Sequence, residues 1–238
     1  MNLRQILRES FELLVQEPKY FVPRLISTSI SSVWFILVLD YYLPNFSTLS
    51  LSTMGMVLYL VSGLLIVLLG VGVSIMLARM VDEGPGLRES FIYTLSRMKT
   101  ILAVTFGMLV LGMLVSLPLT FGIVVYPLLG TSILIASVLV SLLLMLTVSF
   151  LIYFLPIAIV ENSSVLEGVK DSVLASRENY REVTIMLVFS FTLLGFAGAA
   201  QGLLEFLGYM AFVLSRFTSA LITTYLFVVS PKLYLVEN

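Results

Sequence analysis

The residues with the most chemical potential in this 238-residue sequence are a few polar side chains inside long apolar segments. Asp40 and Glu205 lie near the predicted outer ends of their segments, and Arg216 lies about two helical turns into another. Gln201 is the most polar neutral residue within a segment. Because ionisable groups at membrane depth are costly and usually functional, these residues predict a polar site for an ion or a headgroup. The alternative, which we prefer, is a structural ion pair of Arg216 with Glu205 across a short hairpin.

The composition excludes most catalytic chemistry. The chain has no Cys and no His, which removes thiolate nucleophiles, imidazole bases and the usual ligands of zinc, haem and iron–sulfur centres. We therefore expect no enzyme activity, no catalytic residue, no metal and no cofactor. The 13 Lys and Arg and 14 Asp and Glu are scattered, so nucleic acid is not an expected partner. With 59% hydrophobic and 11% charged residues and a mean hydropathy of +1.09, the sequence predicts an integral membrane protein.

Six apolar segments have the length of a membrane span, about 20 residues. They cover residues 21–43, 54–80, 100–125, 128–160, 183–204 and 210–230, with Pro127 and Gly130 in the connection after the third. The fourth exceeds one bilayer, so it tilts, projects beyond the membrane or breaks near Pro156. All Lys and Arg except Arg216 fall on one side of this topology. We therefore expect a multi-pass protein of the cell membrane, with both termini cytoplasmic and Arg24 as a topology anchor.

A five-residue motif recurs along the chain. Residues 7–11 read LRESF, residues 87–91 repeat it identically, and residues 169–173 read VKDSV. Each copy starts a segment with helical apolar periodicity, and a pair of spans follows each copy. The sequence thus predicts an all-α integral membrane protein with six transmembrane helices in three parallel repeats. Each repeat is an interfacial amphipathic helix plus a transmembrane hairpin, at about 1–80, 84–160 and 163–232 of one membrane domain, 1–238.

The predicted amphipathic helices carry basic residues at their ends. Lys19, Lys99 and Arg181 fall at the depth of lipid headgroups, so we expect them to contact headgroup phosphates. Ser164 and Glu167 have the spacing of a capping box before the third helix. Each helix also has a small residue after an acid and a base, which suits close packing on the bundle: Ser10, Ser90 and Ser172.

Small residues also recur at four-residue spacing within the spans. The pairs are Gly198 with Gly202, Ser137 with Ser141, and Ser215 with Ser219. Such pairs let helices approach closely. They predict packing against neighbouring spans, against a membrane-protein partner or against a second copy of the chain.

One stretch resembles a known group of proteins. Residues 155–161 read LPIAIVE, and the amphipathic segment 165–180 follows after a few polar residues. This arrangement is similar to that of a large group of prokaryotic six-span membrane proteins, which includes the membrane domain of some glycerophosphodiester phosphodiesterases and related uncharacterised archaeal and bacterial proteins. Glu17 and Pro18 resemble the Asn-Pro that often ends the group's first amphipathic helix. Because no phosphodiesterase domain is attached, the resemblance implies no catalytic activity.

These patterns favour a non-enzymatic membrane protein whose partners are membrane lipids. The repeated basic collar predicts lipid binding or lipid handling, or a scaffold for a membrane complex. The alternative is a small-solute channel or transporter along a pseudo-threefold axis, in which Gln201, Ser149 and Thr120 converge on one pathway.

Overall fold

The computed structural model describes residues 3–42, 53–162, 164–203 and 209–237. Within these ranges the chain is helical and forms no strand. The ten α-helices are α1 (Leu3–Gln16), α2 (Val22–Tyr42), α3 (Thr53–Glu83), α4 (Leu87–Ser96), α5 (Met98–Leu129), α6 (Thr131–Leu151), α7 (Leu155–Glu161), α8 (Val165–Glu178), α9 (Tyr180–Leu203) and α10 (Tyr209–Glu237). A short 3₁₀ helix, Pro18–Phe21, joins α1 to α2. The predicted all-α class is confirmed.

Five helical segments among the described residues are long and apolar enough to cross a membrane. They are Pro18–Val38, Val61–Glu83, Met98–Leu128, Thr131–Glu161 and Met210–Val236. The chain therefore has the helices of a multi-pass membrane protein. The segment predicted as the fifth span forms α9, which is helical but is not one of these five.

Three predicted spans have clearly different limits in the structure. The sixth was expected to end at residue 230, but α10 continues to Glu237. The fourth breaks rather than running straight: α6 ends at Leu151, and α7 starts one residue before Pro156. Proline suits the start of a helix, where its missing N–H has no partner to lose. The third span was expected to end before Pro127, but α5 continues to Leu129 and the chain turns at Gly130. The φ of 77° at Gly130 explains that position, because glycine adopts left-handed backbone at little cost.

The core lies where the short helices meet the spans. Six helices each contribute a fully buried member to it, for example Ile6, Ile75, Ile101, Ile157, Val183 and Leu233. The hairpin of α5 and α6 projects from this core, and most of its apolar side chains are exposed. In a bilayer those side chains contact lipid, which is as apolar as they are.

The repeated serines lie at the contacts of the short helices with this core. Ser10, Ser90 and Ser172 are all fully buried. The Oγ of Ser172 donates to the carbonyl of Leu151 at 3.0 Å, which ties α8 to the end of α6. The predicted capping box at the start of α8 is confirmed, since the Oγ of Ser164 accepts from the backbone N–H of Glu167 at 3.2 Å.

The small residues of the spans have unequal roles. Ser137 lies so close to Gly122 that α5 and α6 touch there, and Ser141 accepts a hydrogen bond from the N–H of Leu119 at 3.1 Å. Gly198, by contrast, is exposed, and a Cβ atom added there would meet no atom of the described chain within 4 Å. The predicted packing of its Gly-x-x-x-Gly face is thus not made within the described residues.

Candidate functional site

Arg216 lies against the middle of α2. Its guanidinium donates a hydrogen bond to the Oγ of Ser31, which is about 14 Å along α2 from its first residue at 1.5 Å per residue. The same guanidinium lies over two aromatic rings, at 5.4 Å from the centroid of Phe35 and 5.9 Å from that of Phe212. These rings offset part of the cost of holding a cation at this depth, because an aromatic face attracts positive charge.

Arg24 reaches the same helix interface from the other side. Its Nε donates to the Oγ1 of Thr223 at 3.0 Å, and its guanidinium lies 5.6 Å from the centroid of the Phe227 ring. Residue numbers rise along α2 from Arg24 to Ser31 and fall along α10 from Thr223 to Arg216, so the two helices are antiparallel here. Arg24, expected as a topology anchor, is half-buried and points toward the interface with α10.

The two arginines line one polar cavity of about 270 Å³ between α2, α3 and α10, which we call the arginine cavity. Its lining residues are Arg24, Ser27, Thr28, Ser31, Ile66, Leu69, Ser215, Arg216, Ser219 and Ala220. The serines come in pairs four residues apart on each helix, so each pair shares one face. At about 30 Å³ per water molecule, the volume equals roughly nine waters, which is room for a small polar group.

The charge in this cavity is positive and unbalanced among the described residues. The two guanidinium groups interact electrostatically with each other, and no described carboxylate lines the cavity. Each guanidinium has five N–H donors, yet each makes a single hydrogen bond in the described chain. The Nε of Arg216 is buried and has no hydrogen-bond partner among the residues that the structure describes. The cavity therefore offers many free donors to an acceptor with negative charge.

Two apolar chambers adjoin the arginine cavity. A half-open groove of about 490 Å³ lies between α2, α3 and α4, and it shares Ser27 and Leu69 with the arginine cavity. A second chamber of about 520 Å³, which is half-open like the groove and which we call the inner cavity, lies on the other side of α3 and shares Arg24 and Ile66 with the arginine cavity. Both volumes fall within the range of about 300–1,000 Å³ that is typical of ligand sites.

The structure describes only some of the residues predicted for the polar site. Arg216 lines a cavity, as the ligand-site interpretation requires. Asp40 belongs to the last turn of α2, nine residues or about 14 Å beyond Ser31, and Gln201 belongs to α9, but the described part of the chain does not extend to either side chain. Glu205 lies outside the described residues, so its pairing with Arg216 stays a prediction.

The three basic residues expected at headgroup depth occupy different settings. Lys19 forms an ion pair with Glu17 at 2.6 Å and lies over the ring of Tyr20. Lys99 and Arg181 are exposed at the starts of α5 and α9. Exposure leaves both side chains accessible to headgroup phosphates, and that contact stays a prediction.

The expected solute pathway is not assembled from the residues predicted for it. Ser149 lines the inner cavity, but Thr120 is exposed on the α5–α6 hairpin, where its hydroxyl donates to the carbonyl of Ser116.

Arg24 is the site residue that the sequence interpretation did not assign to a ligand. The sequence pattern that could have indicated it is a pair of serines four residues apart, Ser27 and Ser31, which follows Arg24 on α2. A second such pair, Ser215 and Ser219, lies on α10 next to Arg216.

Comparison with known proteins finds no relative: no family model, no curated protein and no solved structure matches the chain. The resemblance of residues 155–180 to the prokaryotic six-span group stays a prediction.

Proposed function

We propose that this protein binds an anionic membrane lipid and holds its headgroup in the arginine cavity. The observation that carries the proposal is the pair of half-buried guanidinium groups, Arg24 and Arg216, which line one cavity without a described carboxylate. A phosphate has several strong acceptor oxygens and matches guanidinium donors bidentately. The flanking apolar chambers suit the tails of the same molecule.

The energetics favour an anion over a neutral or cationic ligand. A single Arg near the centre of a membrane span costs about 2.5–3.5 kcal/mol on insertion scales. Two guanidinium groups in one cavity also repel each other. A bound anion therefore lowers the free energy of the protein, because it attracts both groups and offsets their repulsion. A neutral solute would leave the two positive charges unbalanced, and for this reason the arginine cavity gives less support to a neutral-solute channel.

We also propose the six-span, three-repeat architecture for the whole chain. In support, each hairpin ends in the same way: Val81 precedes Asp82, Val160 precedes Glu161, and the sequence of the last hairpin ends in Val-Glu-Asn. Tyrosine hydroxyls also donate to carbonyls near the ends of the first two hairpins, from Tyr20 to Met80 at 3.1 Å and from Tyr93 to Val160 at 3.2 Å. The two identical LRESF motifs start 80 residues apart.

The proposed setting is the cell membrane, with both termini on the cytoplasmic side. The distribution of Lys and Arg supports this orientation. Exposed Phe11 and Phe91 occupy equivalent places in the LRESF motif, next to the exposed Arg8 and Arg88. Aromatic and basic side chains side by side suit the headgroup region, where the three amphipathic helices would lie.

The proposal is tested by the lipids that the protein retains. The protein is purified in mild detergent from cells that contain both phosphatidylglycerol and phosphatidylethanolamine, and bound lipids are quantified by mass spectrometry. We expect enrichment of the anionic lipid over its share of the membrane, and loss of that enrichment in Arg24→Gln and Arg216→Gln. Arg177→Gln is the matched control, because Arg177 is an exposed arginine of α8. Unselective retention, or enrichment that survives both cavity variants, contradicts the proposal.

A further inference from the structure

Helix α3 separates the two apolar chambers beside the arginine cavity. Successive residues of an α-helix are 100° apart, so positions four apart share a face. Leu68, Gly72 and Met76 follow that spacing and line the groove. Val67 and Val71 lie on the other face and line the inner cavity. The groove and the inner cavity are thus opposite sides of one helix.

The arginine cavity lies where these two sides of α3 meet. Leu69 borders both the arginine cavity and the groove, and Ile66 borders both the arginine cavity and the inner cavity. These two residues are three positions apart, less than one turn. A group held by the arginines therefore has an apolar chamber on each side of α3 within one helical turn.

The charges around the groove indicate which membrane surface feeds it. Its charged lining residue among the described positions is Arg88, which is exposed at the start of α4. The remainder of the lining is almost wholly apolar, with Phe91 and Leu95 from the same helix. An exposed cation at the mouth of an apolar groove attracts an anionic headgroup from the adjacent leaflet while the groove accepts a chain.

We propose that the ligand is an anionic lipid with two acyl chains, which part around α3 so that one chain lies in the groove and the other in the inner cavity. This inference rests on the proposed function, since the arginine cavity must hold the headgroup between the chains. It adds the ligand class, a two-chained glycerophospholipid rather than a fatty acid or a lysolipid.

Glycines on α3 allow each chamber to be blocked separately. Gly72 lines the groove and Gly70 lines the inner cavity, and a Cβ atom added at either would meet no atom of the described chain within 4 Å. Gly63 is equally open but lines neither chamber, so Gly63→Phe is the matched control. Gly72→Phe and Gly70→Phe each start a ring from an unhindered Cβ position beside one chamber.

The experiment titrates detergent-purified variants with phosphatidylglycerol and with its one-chained lyso form, read by native mass spectrometry. Because the added Phe ring occupies volume that an acyl chain would fill, we expect each blocking variant to weaken phosphatidylglycerol binding by about tenfold. Gly63→Phe should bind as the wild type does. The lyso form should lose about twofold or less in either variant, since one open chamber suffices for one chain.

The outcomes separate this inference from the proposed function. If one blocking variant weakens binding and the other does not, a single chamber holds the chains and the two-chain inference is wrong. If neither blocking variant weakens phosphatidylglycerol binding while Arg24→Gln still abolishes it, the arginine cavity binds the headgroup but the chambers do not hold the acyl chains, and the two-chain inference is wrong. If Arg24→Gln and Arg216→Gln bind normally, the proposed function itself fails.

A second measurement uses the wild-type protein and does not depend on the folding of variants. Phosphatidylglycerol carrying a photoreactive diazirine in one chain or the other is crosslinked and mapped by peptide mass spectrometry. We expect adducts both at Leu95 in the groove and at Leu187 in the inner cavity. Adducts confined to one of the two chambers overturn the inference.

Discussion

Replacing Arg216 with Gln distinguishes a ligand site from a structural ion pair, because the two roles have opposite effects on stability. In a ligand site the empty protein holds two repelling guanidinium groups, Arg24 and Arg216, so removing one leaves its stability unchanged or higher. In a buried ion pair with Glu205, the same change leaves an unpaired carboxylate and costs about 3–5 kcal/mol. Gln retains a donor for the Oγ of Ser31.

The expected loss of binding follows from the hydrogen bonds at stake. A hydrogen bond to a charged group contributes about 1.5–3 kcal/mol, which corresponds to roughly 10- to 150-fold in the dissociation constant for phosphatidylglycerol. We expect Arg216→Gln and Arg24→Gln each to lose binding within this range. Because the proposal places both guanidinium groups on one headgroup, the double variant should lose less than the product of the two single losses.

The assay pairs thermal unfolding in detergent without added lipid with a native mass spectrometry titration of phosphatidylglycerol and phosphatidylcholine. Arg177→Gln, a change at an exposed residue of α8, controls for net charge, and Glu205→Gln tests the ion-pair alternative directly. Reduced stability of both Arg216→Gln and Glu205→Gln, with unchanged lipid binding, would refute the ligand-site reasoning.

Three further substitutions test the local structure. Gly122→Ala should destabilise the α5–α6 hairpin by about 1–3 kcal/mol, because the added methyl overlaps Ser137, and the second change Ser137→Gly should restore thermal stability. Ser164→Ala should cost about 0.5–2 kcal/mol through the lost cap of α8, measured by chemical denaturation; an unchanged midpoint would contradict the capping geometry. Tyr153→Phe should leave the melting temperature unchanged or raise it, because the buried Tyr153 hydroxyl has no hydrogen-bond partner in the described part of the chain, whereas a marked fall would mean that this hydroxyl is bonded.

The sequence predicts helix identity better than helix limits in this chain. Apolar length identifies five of the six predicted segments as helices that could cross a membrane, because a bilayer requires that length. The Ser164–Glu167 spacing predicts the cap that the structure has. Pro127 is misleading, because a proline is tolerated in a transmembrane helix where neighbouring groups satisfy the freed backbone. The turn depends instead on the left-handed backbone of Gly130.

The candidate site could be predicted only in part, because it depends on contacts between distant helices. Arg216 is conspicuous as a cation within an apolar segment. Arg24 lies near the start of its span, where a topology anchor is the ordinary interpretation. Only the antiparallel packing of α2 on α10 brings the two arginines to one cavity, through contacts with Ser31 and Thr223. No local pattern encodes which helices become neighbours.

The most direct test of anionic-lipid binding is an electron cryomicroscopy structure of the protein in nanodiscs that contain phosphatidylglycerol. We predict headgroup density in the arginine cavity, with a phosphate within hydrogen-bond distance of both Arg24 and Arg216. A cavity that contains only water, or one in which Arg216 pairs with Glu205 and no lipid enters, would contradict the proposal.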